Sequence, residues 1–346
     1  MNDRRVGKPM PTVLNGLLRG RLGAPSHRVL LGPGAGLDAA VIDVGGGRVM
    51  AIAEDPIFPA PGLDLRLMGE FTVHIGASDV AVTGVRPEFM TYTLLMPGDT
   101  SAEIAETLVE SISLAAGQLD IAIVGGHTGW YDAVTVPIVG GVTVWGFADS
   151  NAWISPGGAK AGDRILMTKA PGVEAAALLY AVYGERLSER IDARLTERLV
   201  ARLGEISVVA DALAVAGIEG VHAMHDATEG GVRGGLWEMQ TAAGVSVSAD
   251  FDSVGVPEDI RRLGEVLRFD PWAVISEGTL LAAVAPDAVK AVSKVWTEHG
   301  IPHAELGWFT APERPSRIRY QGVDHALNEP GEDPFWALFF AGLDGQ

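Results

Sequence analysis

The alternation of apolar and polar positions near the N-terminus predicts a β-hairpin. Two β-prone runs, Val41–Val44 and Val49–Ala53, flank three consecutive glycines, and glycine is the residue that tight hairpin turns favour. We expect the second strand to present Asp55 at its end, and Asp38 stands just before the first strand. The pattern therefore predicts two carboxylates at the ends of paired strands.

Over residues 67–145 the spacing of apolar residues alternates between the period of a helix and that of a strand. An apolar stripe over Leu67–Gly84 predicts a packed helix that carries Asp79. The run Phe89–Met96 predicts a strand, and Thr100-Ser-Ala-Glu103 is typical of a capping box at the start of a helix. A buried strand over Ile121–Val124 should follow and open into Gly125-Gly126-His127-Thr128, after which Val134–Trp145 is again β-prone. This order predicts a strand, helix, strand unit.

Residues 146–163 lose this periodicity and gain glycine, proline and small polar residues, which indicates a junction between two domains. A strand over Arg164–Thr168 and several helices follow. A further buried strand should end at His225-Asp226, and Gly230-Gly231 then begin a helix, so main-chain N–H groups there could face a ligand. An ordinary strand-to-helix turn is the alternative interpretation. Alternating elements of this kind predict α/β or α+β layers.

Composition narrows the class of protein. At 346 residues the chain is long enough for about two domains. It contains no cysteine, which excludes disulfides, thiolate metal sites and thiol nucleophiles. A formal net charge of -18 opposes binding to nucleic acid or to an anionic membrane. Because no long apolar run or secretion signal occurs, we expect a cytoplasmic protein.

Four aspartates recur at the predicted ends of elements or on the predicted helix. They are Asp38, Asp55, Asp79 and Asp226. Magnesium prefers hard oxygen ligands and commonly takes one or two carboxylates together with substrate phosphates, so dispersed aspartates suit it. Taken singly, each is also a common helix cap or turn residue.

Other candidate residues carry weaker signals, each with a structural alternative. The glycine-rich segment Gly32–Gly36 could close over phosphates, although it is no nucleotide-binding fingerprint. His127 could contact a substrate or be a buried structural histidine. Lys169 could meet a phosphate or be solvated, and Arg233 could clamp an anion or form a surface salt bridge.

Taken in order, seven segments resemble the aminoimidazole ribonucleotide synthase (PurM-like) superfamily, and most of all its HypE-like AIR synthase-related members. The segments are GLDAAV, AEDP, ASDVAVTGVRP, GGHT, GDRILMTKAPGVE, HDATEGGVRGGLWEM and ISEGTLL. The resemblance implies an α/β N-terminal domain over residues 1–153, which dimerises through its β-sheet, and an α+β C-terminal domain over residues 154–346. It also implies that ATP and Mg²⁺ lie in a cleft lined by the N-terminal acids.

On this resemblance Asp38, Asp55 and Asp79 are expected to bind the metal and the phosphates. The other residues expected at the nucleotide are Gly36, Gly126, His127, Thr128 and Lys169. The residues expected on the acceptor side, as catalytic groups, are His225, Asp226 and Arg233. In-line phosphoryl transfer needs positioning and charge neutralisation more than a covalent nucleophile, so such a site is chemically sufficient.

The expected protein is thus a homodimeric enzyme that transfers the ATP γ-phosphoryl to a small substrate, or activates one of its oxygens. A thiamine-monophosphate kinase-like enzyme is one alternative. A non-catalytic nucleotide-binding or scaffold paralogue is the other, because Leu37 and His127 stand where relatives often carry aspartate. HypE itself ends in a cysteine that accepts a carbamoyl group, and no cysteine is present here, so we expect a different reaction.

Overall fold

A computed structural model of the chain describes residues 6–57, 63–135, 139–187 and 189–343. The described residues form two mixed β-sheets with ten α-helices around them. The layered α/β and α+β architecture predicted from the alternating elements is confirmed. No helix in these ranges is long and apolar enough to cross a membrane.

The first half of the chain builds a six-stranded sheet. Its strands are β1 (Val29–Leu31), β2 (Ala40–Gly45), β3 (Arg48–Ile57), β4 (Phe89–Met96), β5 (Ala122–Trp130) and β6 (Val139–Asp149). The helices of this half are α1 (Pro11–Leu18), α2 (Leu65–Ala81) and α3 (Ala102–Gln118). The strand order is β1-β2-β3-β6-β4-β5, and only the β4–β5 pair is parallel.

The hairpin and the strand, helix, strand unit are confirmed, with differences at the ends of the strands. β3 continues beyond Asp55 because that residue pairs with Val142 of β6, so the carboxylate lies within a strand and not after it. β5 likewise continues through the Gly125–Thr128 segment, since it is paired with β4 throughout. β6 extends to Asp149, inside the predicted junction. Of the predicted Val134–Trp145 strand, residues 136–138 lie outside the described part of the chain.

The second half builds a seven-stranded sheet. Its strands are β7 (Arg164–Thr168), β8 (Val221–Asp226), β9 (Ser246–Asp250), β10 (Leu280–Val284), β11 (His303–Thr310), β12 (Arg317–Tyr320) and β13 (Val323–Ala326). The helices are α4 (Val173–Leu187), α5 (Ala193–Ala201), α6 (Val209–Val215), α7 (Gly231–Ala243), α8 (Glu258–Leu267), α9 (Val289–Glu298) and α10 (Pro334–Leu343). The order is β13-β12-β9-β11-β7-β10-β8, antiparallel except for the β12–β9 pair.

Local sequence explains where the helices begin and end. The Ser101 side chain accepts a hydrogen bond from the Ile104 N–H at 3.3 Å, so Ser101 caps α3 one residue after the Thr100 that the predicted capping box would place there. α7 begins after Gly230 and ends before Gly244, and both glycines have positive φ angles that other residues adopt less readily. These caps fix the direction in which α7 leaves the end of β8.

A continuous hydrophobic core joins the two halves. Val80 of α2 belongs to the same buried cluster as Val215 of α6 and Met224 of β8. A second cluster packs Phe335 and Phe339 of α10 with α4, so the helix near the C-terminus lies against the second half of the chain. Because both halves share a core, the ends of α2, β3 and β8 are held close together.

Candidate active site

A cavity of about 320 Å³ lies between the two halves. The first half contributes residues from the N-terminal segment, the glycine-rich turn, β3 and α2. The second half contributes α7 and the segment before α10. The lining residues include seven acids and one lysine: Asp38, Glu54, Asp55, Asp79, Glu229, Glu238, Asp333 and Lys8. The three aspartates predicted as metal ligands therefore line one cavity.

A tight turn presents Asp38 to this cavity. The Leu37 N–H donates to the Gly34 carbonyl at 3.2 Å, and Gly36 has a φ of 74°. A Cβ atom on Gly36 would come within 2.8 Å of the Glu238 carbonyl oxygen, so only glycine fits this close approach of the turn to α7. Asp38 follows immediately and precedes β2.

The other two aspartates come from neighbouring elements of the first half. Asp55 lies in β3, and Asp79 lies in the last turn of α2. A helix C-terminus carries partial negative charge, so the position of Asp79 is unfavourable for an anion without a nearby cation. Burial and the charges of Asp55, Asp226 and Asp38 raise the pKa of Asp79 well above its usual range. Burial also raises the pKa of Asp55, against the opposing effect of Lys8.

The end of β8 supplies the predicted His225-Asp226 pair. Both residues are buried, and among the described residues neither carboxylate oxygen of Asp226 has a hydrogen-bond partner. Burial, and then the charge of Asp38, raise the pKa of Asp226 to about 7. Donor atoms of Asp38, His225 and Asp226 all lie within 4.8 Å of one another. Unpartnered buried carboxylates among further acids are a donor set that fits a hard divalent cation.

The imidazole of His225 lies between two carboxylates. Nδ1 is 2.7 Å from Asp38 Oδ2, and Nε2 is 3.0 Å from Glu238 Oε2. Burial favours the neutral ring, but the charges and hydrogen bonds of Asp38 and Glu238 outweigh it and hold the pKa of His225 well above its usual value. His225 therefore links Asp38 of the first half of the chain to Glu238 of the second.

Lys8 brings a positive charge to the same cavity. Its backbone N–H donates to Glu229 Oε2 at 2.8 Å, and its ammonium group donates to Thr228 Oγ1 at 3.1 Å. Burial lowers the pKa of Lys8, but the charges of surrounding carboxylates, led by Glu238, leave it raised. The N-terminal segment therefore forms one wall of the cavity.

Several groups in this region were not among the residues expected from the sequence. Glu238, Lys8 and Glu229 line the cavity. Glu277 is buried, and within the described part of the chain neither of its carboxylate oxygens is hydrogen-bonded; burial and the charge of Asp226 raise its pKa well above the usual range. The ISEGTLL segment, which contains Glu277, was the available signal for that residue. The single lysine of the N-terminal segment gave no comparable signal.

The remaining expected residues are not among those that line the cavity. Lys169 Nζ is 2.6 Å from Asp211 Oδ2 and also donates to two backbone carbonyls, so its charge is already compensated. Arg233 pairs with Asp270 at 3.2 Å and lies over the ring of Tyr320.

The predicted nucleotide contacts on β5 lie elsewhere in the first half. Gly126, His127 and Thr128 are on this exposed edge strand, where His127 Nε2 is 2.6 Å from the Tyr131 hydroxyl. Within the described residues, the structure thus brings together Asp38, Asp55, Asp79, His225 and Asp226, with Gly36 beside them.

Comparison with known protein families matches both halves. Residues 36–148 match the AIR synthase related protein N-terminal domain, and residues 160–319 match the C-terminal domain of the same family. The chain therefore belongs to the AIR synthase-related family, and the PurM-like fold implied by the seven sequence segments is confirmed. The boundary at residues 153 and 154 stays a prediction, as it lies between the matched segments.

Individual relatives are connected with hydrogenase maturation. The chain is 24% identical to a putative hydrogenase expression/formation protein of Methanocaldococcus jannaschii over 80% of both chains. It is 29% identical to the carbamoyl dehydratase HypE of Cupriavidus necator over 72% of this chain and 69% of that one. The crystal structure of HypE in complex with ATP superposes with a TM-score of 0.66 at 21% identity, covering 95% of this chain and 97% of that one.

Proposed function

We propose that this protein is an ATP- and Mg²⁺-dependent enzyme that transfers the γ-phosphoryl group to a small molecule, or activates an oxygen of that molecule. The observation that carries the proposal is the convergence of Asp38, Asp55 and Asp79 on one cavity from three separate elements. The family relationship and the crystallised complex of HypE with ATP support the same nucleotide. The sequence contains no cysteine that could accept the group, so we propose that the acceptor is a separate molecule.

The chemistry assigned to the site is positioning and charge neutralisation. Asp38, Asp55 and Asp79 would hold Mg²⁺, which would neutralise the negative charge that develops during phosphoryl transfer. The backbone of the Gly34–Gly36 turn can approach the phosphates closely, because the methyl group of Ala35 is the single side chain in this turn. Lys8 adds a positive charge to the lining of the same cavity. From the second half, buried Asp226 places a carboxylate oxygen within 4.8 Å of a carboxylate oxygen of Asp38.

We further propose that the protein is a homodimer formed through the first sheet. β5 is an edge strand, and its neighbourhood exposes the apolar side chains of Ile123, Val124, Trp130 and Tyr131. An exposed apolar edge strand is a site where proteins pair with a second chain. His127 and Thr128 lie on this strand, so their contribution to the function is proposed at or near the subunit interface.

Nucleotide binding is tested by thermal shift with ATP and Mg²⁺. A ligand that binds the folded state at one hundred times its Kd stabilises it by about 2.7 kcal/mol. We expect Asp38→Asn and Asp79→Asn each to remove most of this stabilisation, because each substitution takes one negative ligand from the cation. Asp99→Asn, an exposed turn residue outside the cavity, is the matched control and should respond as the wild type does.

The result that contradicts the proposal is an unchanged ATP response in both cavity variants. Phosphoryl transfer is tested separately, by ADP production from ATP in the presence of a panel of candidate metabolites. ATP binding without any substrate-dependent ADP would favour the non-catalytic paralogue.

A further inference from the structure

The histidine at the end of β8 occupies an unusual position for a catalytic acid or base, because both of its nitrogens are engaged. Nδ1 is 2.7 Å from Asp38 Oδ2, and Nε2 is 3.0 Å from Glu238 Oε2. The side chains of His225, Asp38 and Glu238 are only 2%, 12% and 18% exposed, so water competes weakly for these contacts. A ring whose two nitrogens both contact carboxylates cannot bind a metal or take part in proton transfer without losing one of these contacts.

The surrounding backbone fixes the ring in this place. Gly235 of α7 packs against it, and a Cβ atom there would lie 3.1 Å from His225 Cδ2. Gly36 approaches Glu238 from the other side, so the turn that carries Asp38 rests on the same helix. His225, Glu238 and the glycine-rich turn are therefore packed against one another, and they connect the two halves of the chain.

Asp38 needs such support because of its own sequence context. It follows a turn that contains Gly34 and Gly36, and glycine-rich backbone has more conformational freedom than other segments. A hydrogen bond from His225 to one carboxylate oxygen restricts the side chain and leaves the other oxygen for a cation. Groups that orient a metal ligand in this way commonly affect metal affinity as much as tenfold to a hundredfold.

We infer that His225 and Glu238 are positioning residues, which together orient Asp38 for cation binding and tie the nucleotide side of the cavity to the second half of the chain. Glu238 acts through His225, and His225 acts through Asp38. The inference rests on the proposed function for the identity of the bound nucleotide, but the effect on the cation can be measured without any nucleotide. Neither residue takes part in the transfer step.

The experiment measures Mn²⁺ binding to the full chain by electron paramagnetic resonance, without nucleotide. We expect His225→Asn and Glu238→Ala each to weaken Mn²⁺ binding, by about tenfold to a hundredfold for His225→Asn and less for Glu238→Ala. Glu238→Gln keeps a hydrogen-bond acceptor for the ring and should recover part of the loss. His222→Asn is the matched control, since His222 lies on the same strand and pairs with Asp163 at 2.9 Å outside the cavity.

A double variant distinguishes positioning from independent roles. If Glu238 acts only through His225, the variant that carries both His225→Asn and Glu238→Ala binds Mn²⁺ no more weakly than His225→Asn alone. Additive losses overturn the inference, as does a loss of equal size in the His222→Asn control. A wild-type chain that does not bind Mn²⁺ overturns it as well.

The same variants separate the inference from the proposed function. Weaker Mn²⁺ binding in the His225 and Glu238 variants, together with a wild-type protein that ATP does not stabilise, would reject the proposed function and retain the positioning pair. If His225→Asn binds Mn²⁺ normally and ATP stabilises the wild type, the positioning pair is rejected and the proposed function is retained. If His225 were itself a ligand, His225→Asn would weaken binding while Glu238→Ala left it unchanged, which also overturns the inference.

Discussion

The buried carboxyl of Glu174 provides a test of whether burial raises the pKa of an acid in this protein. Its Oε2 atom accepts a hydrogen bond from the Glu277 N–H at 2.9 Å, and the residue is only 6% exposed. Burial raises its pKa from 4.5 to about 8, against a smaller lowering by that hydrogen bond. The folded protein therefore keeps a proton on Glu174 at neutral pH that the unfolded chain releases near its ordinary pKa.

This difference makes stability depend on pH with a definite sign. A carboxyl whose pKa is raised in the folded state stabilises the protein fully at low pH, and the stabilisation is lost as pH rises toward the folded pKa. One proton corresponds to about 1.4 kcal/mol per pH unit. Because the slope flattens near pH 8, we expect Glu174 to contribute a fall of about 2 kcal/mol in the free energy of unfolding between pH 6 and pH 8.

The Glu174→Gln variant removes this proton while keeping an oxygen that accepts from Glu277. We expect its free energy of unfolding, measured by urea denaturation at several pH values, to fall less steeply than that of the wild type between pH 6 and pH 8. Glu106→Gln on the exposed face of α3 is the matched control and should keep the wild-type slope. Parallel wild-type and Glu174→Gln curves would refute the assignment of a raised pKa.

Two further predictions test the packing that supports the site. Gly36→Ala should weaken Mg²⁺-dependent ATP stabilisation, because φ at this position is 74° and a Cβ atom would meet the backbone of Glu238; unchanged ATP titrations would contradict this. Asp211→Asn should destabilise the fold by about 3 kcal/mol in urea denaturation, since it leaves the ammonium of Lys169 buried without its negative partner. A loss below about 1 kcal/mol would show that the backbone carbonyls around Lys169 suffice.

Much of the fold could be predicted from the sequence because its signals are local. Periodic apolar positions and the Thr100–Glu103 capping box predicted β4 and α3 to within one or two residues. The ends of β3 and β5 could not be predicted in this way, since pairing with β6 and β4 extends these strands through glycine and acidic residues. Strand pairing is a long-range interaction, and no local pattern encodes it.

The candidate site shows the same division. The resemblance of short segments to the PurM-like superfamily predicts that Asp38, Asp55 and Asp79 lie close together. All three line the same cavity. Glu238 was missed because its importance comes from a contact with His225, 13 residues away and on another element. Lys169 was expected at a phosphate, but its pairing with Asp211 depends on the packing of α6, which the sequence around Lys169 does not reveal.

The balance of charges in the cavity explains why the proposed function requires a divalent cation. Seven acidic residues and one lysine are among the described residues that line it. Both ring nitrogens of His225 already contact carboxylates, so the ring offers little attraction to a further anion. A triphosphate would meet net repulsion from such walls unless a cation lay between its oxygens and the aspartates. The same acids that would repel free ATP are therefore the groups that would select its magnesium complex, which is why cation binding and nucleotide binding are expected to fail together in the Asp38 and Asp79 variants.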